Sequence, residues 1–475
     1  MPAKSRKIWR VLALLNKDEL IRFNKWLHIE LAEKQTYVKK LFSIITELPE
    51  RAEDERVWKK LYPNDPYNDA RLRKLYRDLC ANIEEFLAIE SFRKNKDQKD
   101  IHLLRELRER EAHDLFIKHY NKLDQEFTNA PLKDASIFRK KYQITYEMIQ
   151  HQLQYQHGIK PISFEDLYMS FDAWWVHEKI ALACTHETLS ALFPQHIHNA
   201  LLTQAYEMIS KRVDFSQMTL LQIHWKIHEL FRGTPESEVQ EISQWIVKYA
   251  KELPLSTKKE IFELLLNYHI RRLNTSGDEH TAHIIFKLYQ WGINDKFLIA
   301  QRKLHWQQYK NIISICLQTN NYEAAWVYLN DLIKYLPAKE KEEAYIFNLS
   351  QYHIAVEAYE EVISALGERK FSKLVYEIPA RSTLLQAYYE LYGPDKEWLI
   401  PQLTNLIRYV KQQKLTEKYR QSYLNRFRLF RKLVQARNDE ELNSLRQEIH
   451  QTKPISRPQW LLQKIQQRTQ QNILT

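Results

Sequence analysis

The residues best placed by type and spacing to do chemistry are histidines. His224 and His228 in HWKIH stand four residues apart, a helical spacing that presents two imidazoles to one ion. His196-x-His198 and His280-x-x-His283 are further pairs. A metal centre also needs a defined third and fourth ligand, and the nearby sequence offers none. Position 225 is Trp where a zinc-protease helix carries Glu, and no histidine has Glu three residues before it. The three cysteines, Cys80, Cys184 and Cys316, are too far apart for a CxxC site and sit in apolar helical patterns. Adjacent carboxylates, Glu84-Glu85 and Glu360-Glu361, diverge by about 100° on a helix and read as solvated faces. Asp65 and Asp69 in PNDPYND have cation-binding chemistry but read as a turn and a helix cap. No catalytic residue, metal or cofactor is expected, and the chain is expected not to be an enzyme.

Charge is the stronger lead. The net charge is +11, and residues 401–475, with 15 Lys/Arg against 5 Asp/Glu, carry +10 of it. From Arg408 to Arg437 there are ten Lys/Arg and one Glu. Within YRQSYLNRFRLFRKLVQAR, Tyr423, Phe427, Phe430 and Val434 form an apolar stripe. Arg428, Arg431 and Lys432 lie away from its centre and Arg426 nearer one edge. Such a helix docks by its stripe and turns its charge outward, toward phosphate backbones, anionic lipid or an acidic partner. Arg426, Arg428, Arg431, Lys432 and Arg437 are the candidate interaction residues.

The elements that must hold these residues are helical. Six glycines in 475 residues leave few positive-φ positions for hairpins and bulges. The closest pair, Gly277 and Gly292, is 15 residues apart, which excludes GxGxxG, GxxxxGK[ST] and GxSxG. The glycines fall at expected helix ends, as at Gly393, or at Gly233 before Thr234-Pro235-Glu236, where Thr234 reads as a cap and Pro235 as the first helical residue. Asn294-Asp295 can cap the helix after Gly292. Periodicity predicts helices from Asp18, over TYVKKLFSIITEL, and through 70–92, then over 101–127, 132–156, 163–192, 199–212, 217–231, 235–251, 256–273 and 279–291. The polar run 93–100 reads as an exposed helix or a hinge.

The stretch WQQYKNIISICLQTNNYEAAWVYLNDLIKYLP (306–337) resembles a tetratricopeptide unit, with Tyr309 at the first aromatic position, Ala325 at the small position and Pro337 closing it. It departs from that pattern at Ile313 and Cys316. A second unit repeats Asn321-Tyr322-Glu323 as Ala358-Tyr359-Glu360, 37 residues on, and ARSTLLQAYYEL (380–391) continues the stack. The chain as a whole resembles an uncharacterised family of large all-helical proteins of Bacteroidetes. NKDELIRFNKWL, KLYPNDPYNDARLRKLYRDLCANIEEFL, SFDAWWVHEKIALAC, ARSTLLQAYYEL and PISRPQWLLQKI carry that likeness, which implies no activity. VWKKLYPNDPYNDARLRKLYRDL also resembles the helix-turn-helix of winged regulators, which implies a recognition helix bearing Arg71, Arg73 and Arg77. No glycine-containing hairpin follows it to make a wing.

The expected fold is therefore all-α: an irregular tetratricopeptide-like α-solenoid with a helical N-terminal module. Its segments are the module (1–95), a helical-hairpin array (96–300), tetratricopeptide-like repeats (301–400) and a basic C-terminal helical cap (401–475). The expected function is a cytoplasmic protein–protein interaction scaffold or adaptor, with contact to RNA or DNA through the 408–437 helix as the alternative. No signal peptide or transmembrane segment is expected.

Overall fold

The computed structural model describes residues 7–30, 36–48, 52–130, 134–155, 164–189, 202–204, 206–207, 218–276, 278–300, 303–393 and 397–474. All regular structure among them is helical, so the fold is all-α. The helices are α1 (Lys7–Leu12), α2 (Lys17–Glu30), α3 (Thr36–Glu47), α4 (Asp54–Leu61), α5 (Asp69–Lys94), α6 (Lys96–Glu109), α7 (His113–Thr128), α8 (Ala135–Tyr155) and α9 (Phe164–Leu189). There follow α10 (Thr219–Gly233), α11 (Glu236–Ala250), α12 (Leu255–Ser276), α13 (Glu279–Asn294), α14 (Trp306–Gln318), α15 (Tyr322–Leu332) and α16 (Ala338–Ala355). The last are α17 (Tyr359–Leu366), α18 (Leu374–Tyr392), α19 (Leu399–Gln412), α20 (Glu417–Gln435), α21 (Asp439–Gln451) and α22 (Pro458–Leu474). The expected helix at 199–212 lies largely outside the described residues, as do His196, His198, Gly158 and Gly277.

The chain forms two compact units, Met1–Lys179 with Ala200–Thr219, and Ile180–Asn199 with Leu220–Thr475. In the first unit α5 is the spine. Its Leu72, Tyr76, Leu79, Ile83 and Phe86 recur at three- and four-residue spacing and bury against α1, α2, α3 and α4. Asn68 caps this helix by accepting from the Arg71 amide at 2.9 Å. At the other end Asn95 closes α5 and opens α6, its side chain accepting from the Gln98 amide at 3.1 Å. The polar run 93–100 is thus a joint one residue wide. A smaller core follows in α6, α7 and α8, around Leu104, Phe116, Leu123 and Ile144.

Residues 101–127, expected as one helix, are two. The chain breaks at Arg110–Ala112, where Glu111 takes a φ of 58°. Two other expectations shift. Pro235 is the residue before α11 rather than its first helical residue. Asp295 closes α13 instead of opening a helix; its carboxylate accepts from the Trp291 indole at 3.2 Å and pairs with Lys258 at 2.9 Å. Gly292 lies inside α13, where a Cβ would sit 2.5 Å from Leu298 Cδ1; the missing side chain is what lets the chain fold back there.

In the second unit, the helices from α11 onward pair with their sequence neighbours, and α14, α16 and α18 also pack in succession on one another. The α14–α15 hairpin is the 306–337 segment. Tyr309 and Ala325 are both fully buried, and the Tyr309 hydroxyl donates to the Leu329 carbonyl at 2.7 Å. Its turn recurs 37 residues later. Thr319 and Val356 have identical dihedrals (φ −98°, ψ 13°), Asn320 and Glu357 have φ of 57° and 60°, and Asn321 and Ala358 close the turns. The same three-residue conformation joins α6 to α7 through Arg110, Glu111 and Ala112. The C-terminal core follows from α19 and α20: Leu399, Leu403, Leu406 and Val410 meet Phe427, Phe430 and Leu433. Each of these fully buried side chains contributes about 1.5–3 kcal/mol. Among the described residues, no helix is long and apolar enough to cross a membrane.

Candidate interaction surfaces

The stripe expected on the basic helix is present on α20. Phe427 and Phe430 are fully buried, Val434 is buried and Tyr423 is half-buried. The charge around it is arranged differently from the expected outward display. Arg426 is buried, with 2% of its surface exposed. Its Nε donates to Ser382 Oγ at 3.0 Å, Nη2 to Gln386 Oε1 at 3.2 Å, and Nη1 to the carbonyls of Ser456 at 3.0 Å and Arg457 at 2.6 Å. It belongs to the interior, not to an interaction face. A stripe edge on a helical wheel is ambiguous, and here α18 and the 452–457 segment close over that edge. The partners come from ARSTLLQAYYEL and PISRPQWLLQKI, so two fragments far apart in sequence meet across one guanidinium.

The remaining candidates stay at the surface. Arg428 and Lys432 both reach Glu448 on α21, at 3.5 and 2.6 Å. Arg431 is half-buried. Arg437 is exposed, and its backbone amide donates to Glu441 Oε2 at 2.8 Å. The α20 cations are thus partly balanced by the following helix. Arg408, Lys411, Lys414 and Lys418, around the α19–α20 turn, are exposed, and among the described residues they form no ion pair. Arg468 was not among the expected site residues, yet it caps α20, donating to the Leu433 and Ala436 carbonyls at 2.7 and 2.6 Å.

The other motifs resolve into structure. His224 and His228 are both buried; His224 Nε2 lies 3.6 Å from Glu260 Oε1, and the Cys184 thiol donates to the His224 carbonyl at 3.3 Å. Burial depresses the His228 pKa. His280 and His283 are exposed on α13. Among the described residues no group of three or more His, Cys, Asp or Glu is placed to hold a metal ion. All three thiols are free and buried, and burial pushes Cys184 and Cys316 up to about 12. Asp65 pairs with Arg71 at 3.4 Å and Asp69 with Arg73 at 2.6 Å. The Arg71 guanidinium also lies 4.1 Å from the centre of the Tyr62 ring, so two of the three candidate recognition arginines are engaged by their own module.

A further surface carries its own sequence signal. Tyr142 and Tyr146 on α8 and Tyr168, Phe171 and Trp174 on α9 follow helical spacing, and the structure brings four of them together. Tyr142 lies 6.3 Å from Tyr146, 5.3 Å from Phe171 and 6.0 Å from Trp174, ring centre to ring centre, and Phe171 lies 5.8 Å from Trp174. Arg139 sits 5.6 Å from the Trp174 ring. Tyr146, Phe171 and Tyr168 are 44%, 38% and 65% exposed. No protein-family model, no curated protein and no solved structure matches the chain.

Proposed function

We propose that the protein is a non-enzymatic interaction scaffold, built in part as a tetratricopeptide-like helical repeat, which holds partner polypeptides in the cytoplasm. The observation that carries this reading is the exposed aromatic cluster of α8 and α9. Contiguous exposed apolar area is costly unless it is covered in use, and Tyr, Trp and Arg are the side chains that anchor interfaces. The matching turns at 319–321 and 356–358 support the repeat reading, and three buried thiols fit a reducing compartment. A Tyr168→Ser/Phe171→Ser variant tests it. In crosslinking from native extract, the variant is expected to lose the partners captured by the unaltered chain while keeping its helical circular dichroism. An unchanged partner set would defeat the reading.

A second reading rests on a separate observation, the four exposed cations Arg408, Lys411, Lys414 and Lys418. They offer phosphate backbones a site not already balanced by an acid among the described residues. Titration with RNA and DNA oligonucleotides at several salt concentrations decides it. Backbone contact requires affinity that falls steeply with salt, and falls further when these four are changed to Gln.

A further inference from the structure

Two histidines face each other where the start of α7 meets the last turns of α8. The Arg110–Ala112 turn, with Glu111 at positive φ, leads out of α6 and makes His113 the first residue of α7. His151 lies one helical turn before the end of α8. His113 Nδ1 and His151 Nε2 are 3.3 Å apart, and the two ring planes cross at 72°. His151 is buried and stacks on Phe116, with ring centres 4.3 Å apart and planes within 3° of parallel. Tyr155, the last residue of α8, packs on both imidazoles, its ring centre 3.9 Å from that of His113 and 5.0 Å from that of His151. His113 is exposed, so the pair is within reach of solvent.

A single hydrogen bond accounts poorly for this arrangement. Among the described residues, the contact with His113 is the one polar interaction of the His151 ring: its Nδ1 is buried without a partner, and so is the Tyr155 hydroxyl. Buried polar atoms left over in this way call for a water or an ion. The spacing favours an ion. Two nitrogens bound to one tetrahedral ion at about 2.0–2.1 Å stand roughly 3.3–3.4 Å apart. Burial, then His113, then Arg108 hold His151 below the usual imidazole range, so near pH 7 it is neutral, the form that ligates. The Arg108 charge is itself met by Glu147, which accepts from Arg108 Nε and from Arg105 Nε, each at 2.9 Å. That pairing offsets the repulsion of a dication.

We propose that His113 and His151 form a binding site for a zinc-type divalent ion, which clips the start of α7 to the end of α8. Imidazole suits borderline ions such as Zn(II), whereas Mg(II) takes oxygen ligands. Each ring binds through the nitrogen that faces the other and keeps its one proton on the outer nitrogen, so neither imidazole changes charge. Water completes the coordination, and a metal-bound water is a partner for the Tyr155 hydroxyl. The site is separate from the aromatic surface of α8 and α9 and stands without it.

The test uses the full chain, treated with chelator and then titrated with zinc chloride. Zinc is expected to raise the thermal unfolding midpoint in a saturable way. His113→Ala, a change at an exposed position, is expected to weaken the apparent affinity by about tenfold or more. His280→Ala/His283→Ala, which removes an exposed histidine pair on α13, is expected to leave it unchanged. Chemical labelling of the unaltered chain gives a second readout that no variant can confound. Stoichiometric zinc is expected to slow the diethylpyrocarbonate modification of His113 severalfold relative to exposed His450, and magnesium is expected not to slow it. Three results would overturn the proposal: His113 labelling that zinc leaves unchanged, a His113→Ala chain that binds zinc as tightly as the unaltered one, or an affinity that is lost with the α13 pair instead.

Discussion

Arg426 shows how one guanidinium organises the C-terminal part of the second unit. Four neutral acceptors from α18 and the 452–457 segment converge on it, and its removal leaves them buried and unpaired. Arg426→Ala is expected to cost about 2–4 kcal/mol in urea unfolding. Arg428→Ala, half-exposed and paired only with Glu448, is expected to cost less than about 1 kcal/mol. A near-equal pair of values would contradict the placement of Arg426. His269 gives a pH dependence. Fully buried and bonded to Ser243 Oγ at 3.0 Å, it is held by burial, with a smaller push from His280, at about 4. The unfolded chain protonates this imidazole near 6.5, so it binds the proton that the folded chain refuses. The contribution of neutral His269 is complete above about pH 6.5 and is lost as pH falls from there through about 4. His151 and His228 are lowered by burial and act in the same direction. Unfolding midpoints are expected to fall between pH 7.5 and 5, and His269→Gln is expected to flatten that slope.

At the level of elements, the three matching turns carry their own test. Glu111 and Glu357 occupy the left-handed region, where a β-carbon costs roughly 1–2 kcal/mol relative to glycine. Glu357→Gly is expected to stabilise the chain by about 0.5–1 kcal/mol, less than the full strain because glycine is freer in the unfolded state. A loss of stability on denaturant unfolding would mean that the Glu357 side chain holds the turn. These turns also mark the limit of what the sequence disclosed. Most helix bounds were legible to within three residues, because apolar periodicity is strong and Asn68, Asn95 and Asp278 are recognisable caps. The α6–α7 break was not, since REREAHD contains neither Gly nor Pro and a glutamate supplies the positive φ. The basic stripe of α20 was legible as a pattern. The burial of Arg426 was not, because its acceptors lie 30 to 44 residues away and two of them are backbone carbonyls.

The whole molecule consists of two compact units, and each has an apolar core of its own. Chains of this size with several cores do not unfold in one step. Urea unfolding followed by tryptophan fluorescence is expected not to coincide with that followed by helical circular dichroism. Superimposable curves would show the two units to be energetically one. The repeated turn has a different kind of consequence. Because TNNYE and VEAYE share one backbone conformation at 319–321 and 356–358, they are expected to serve as interchangeable joints: the pentapeptides transplanted between hairpins, or a whole hairpin spliced in at that joint, would find the direction of the outgoing helix already specified by three backbone conformations.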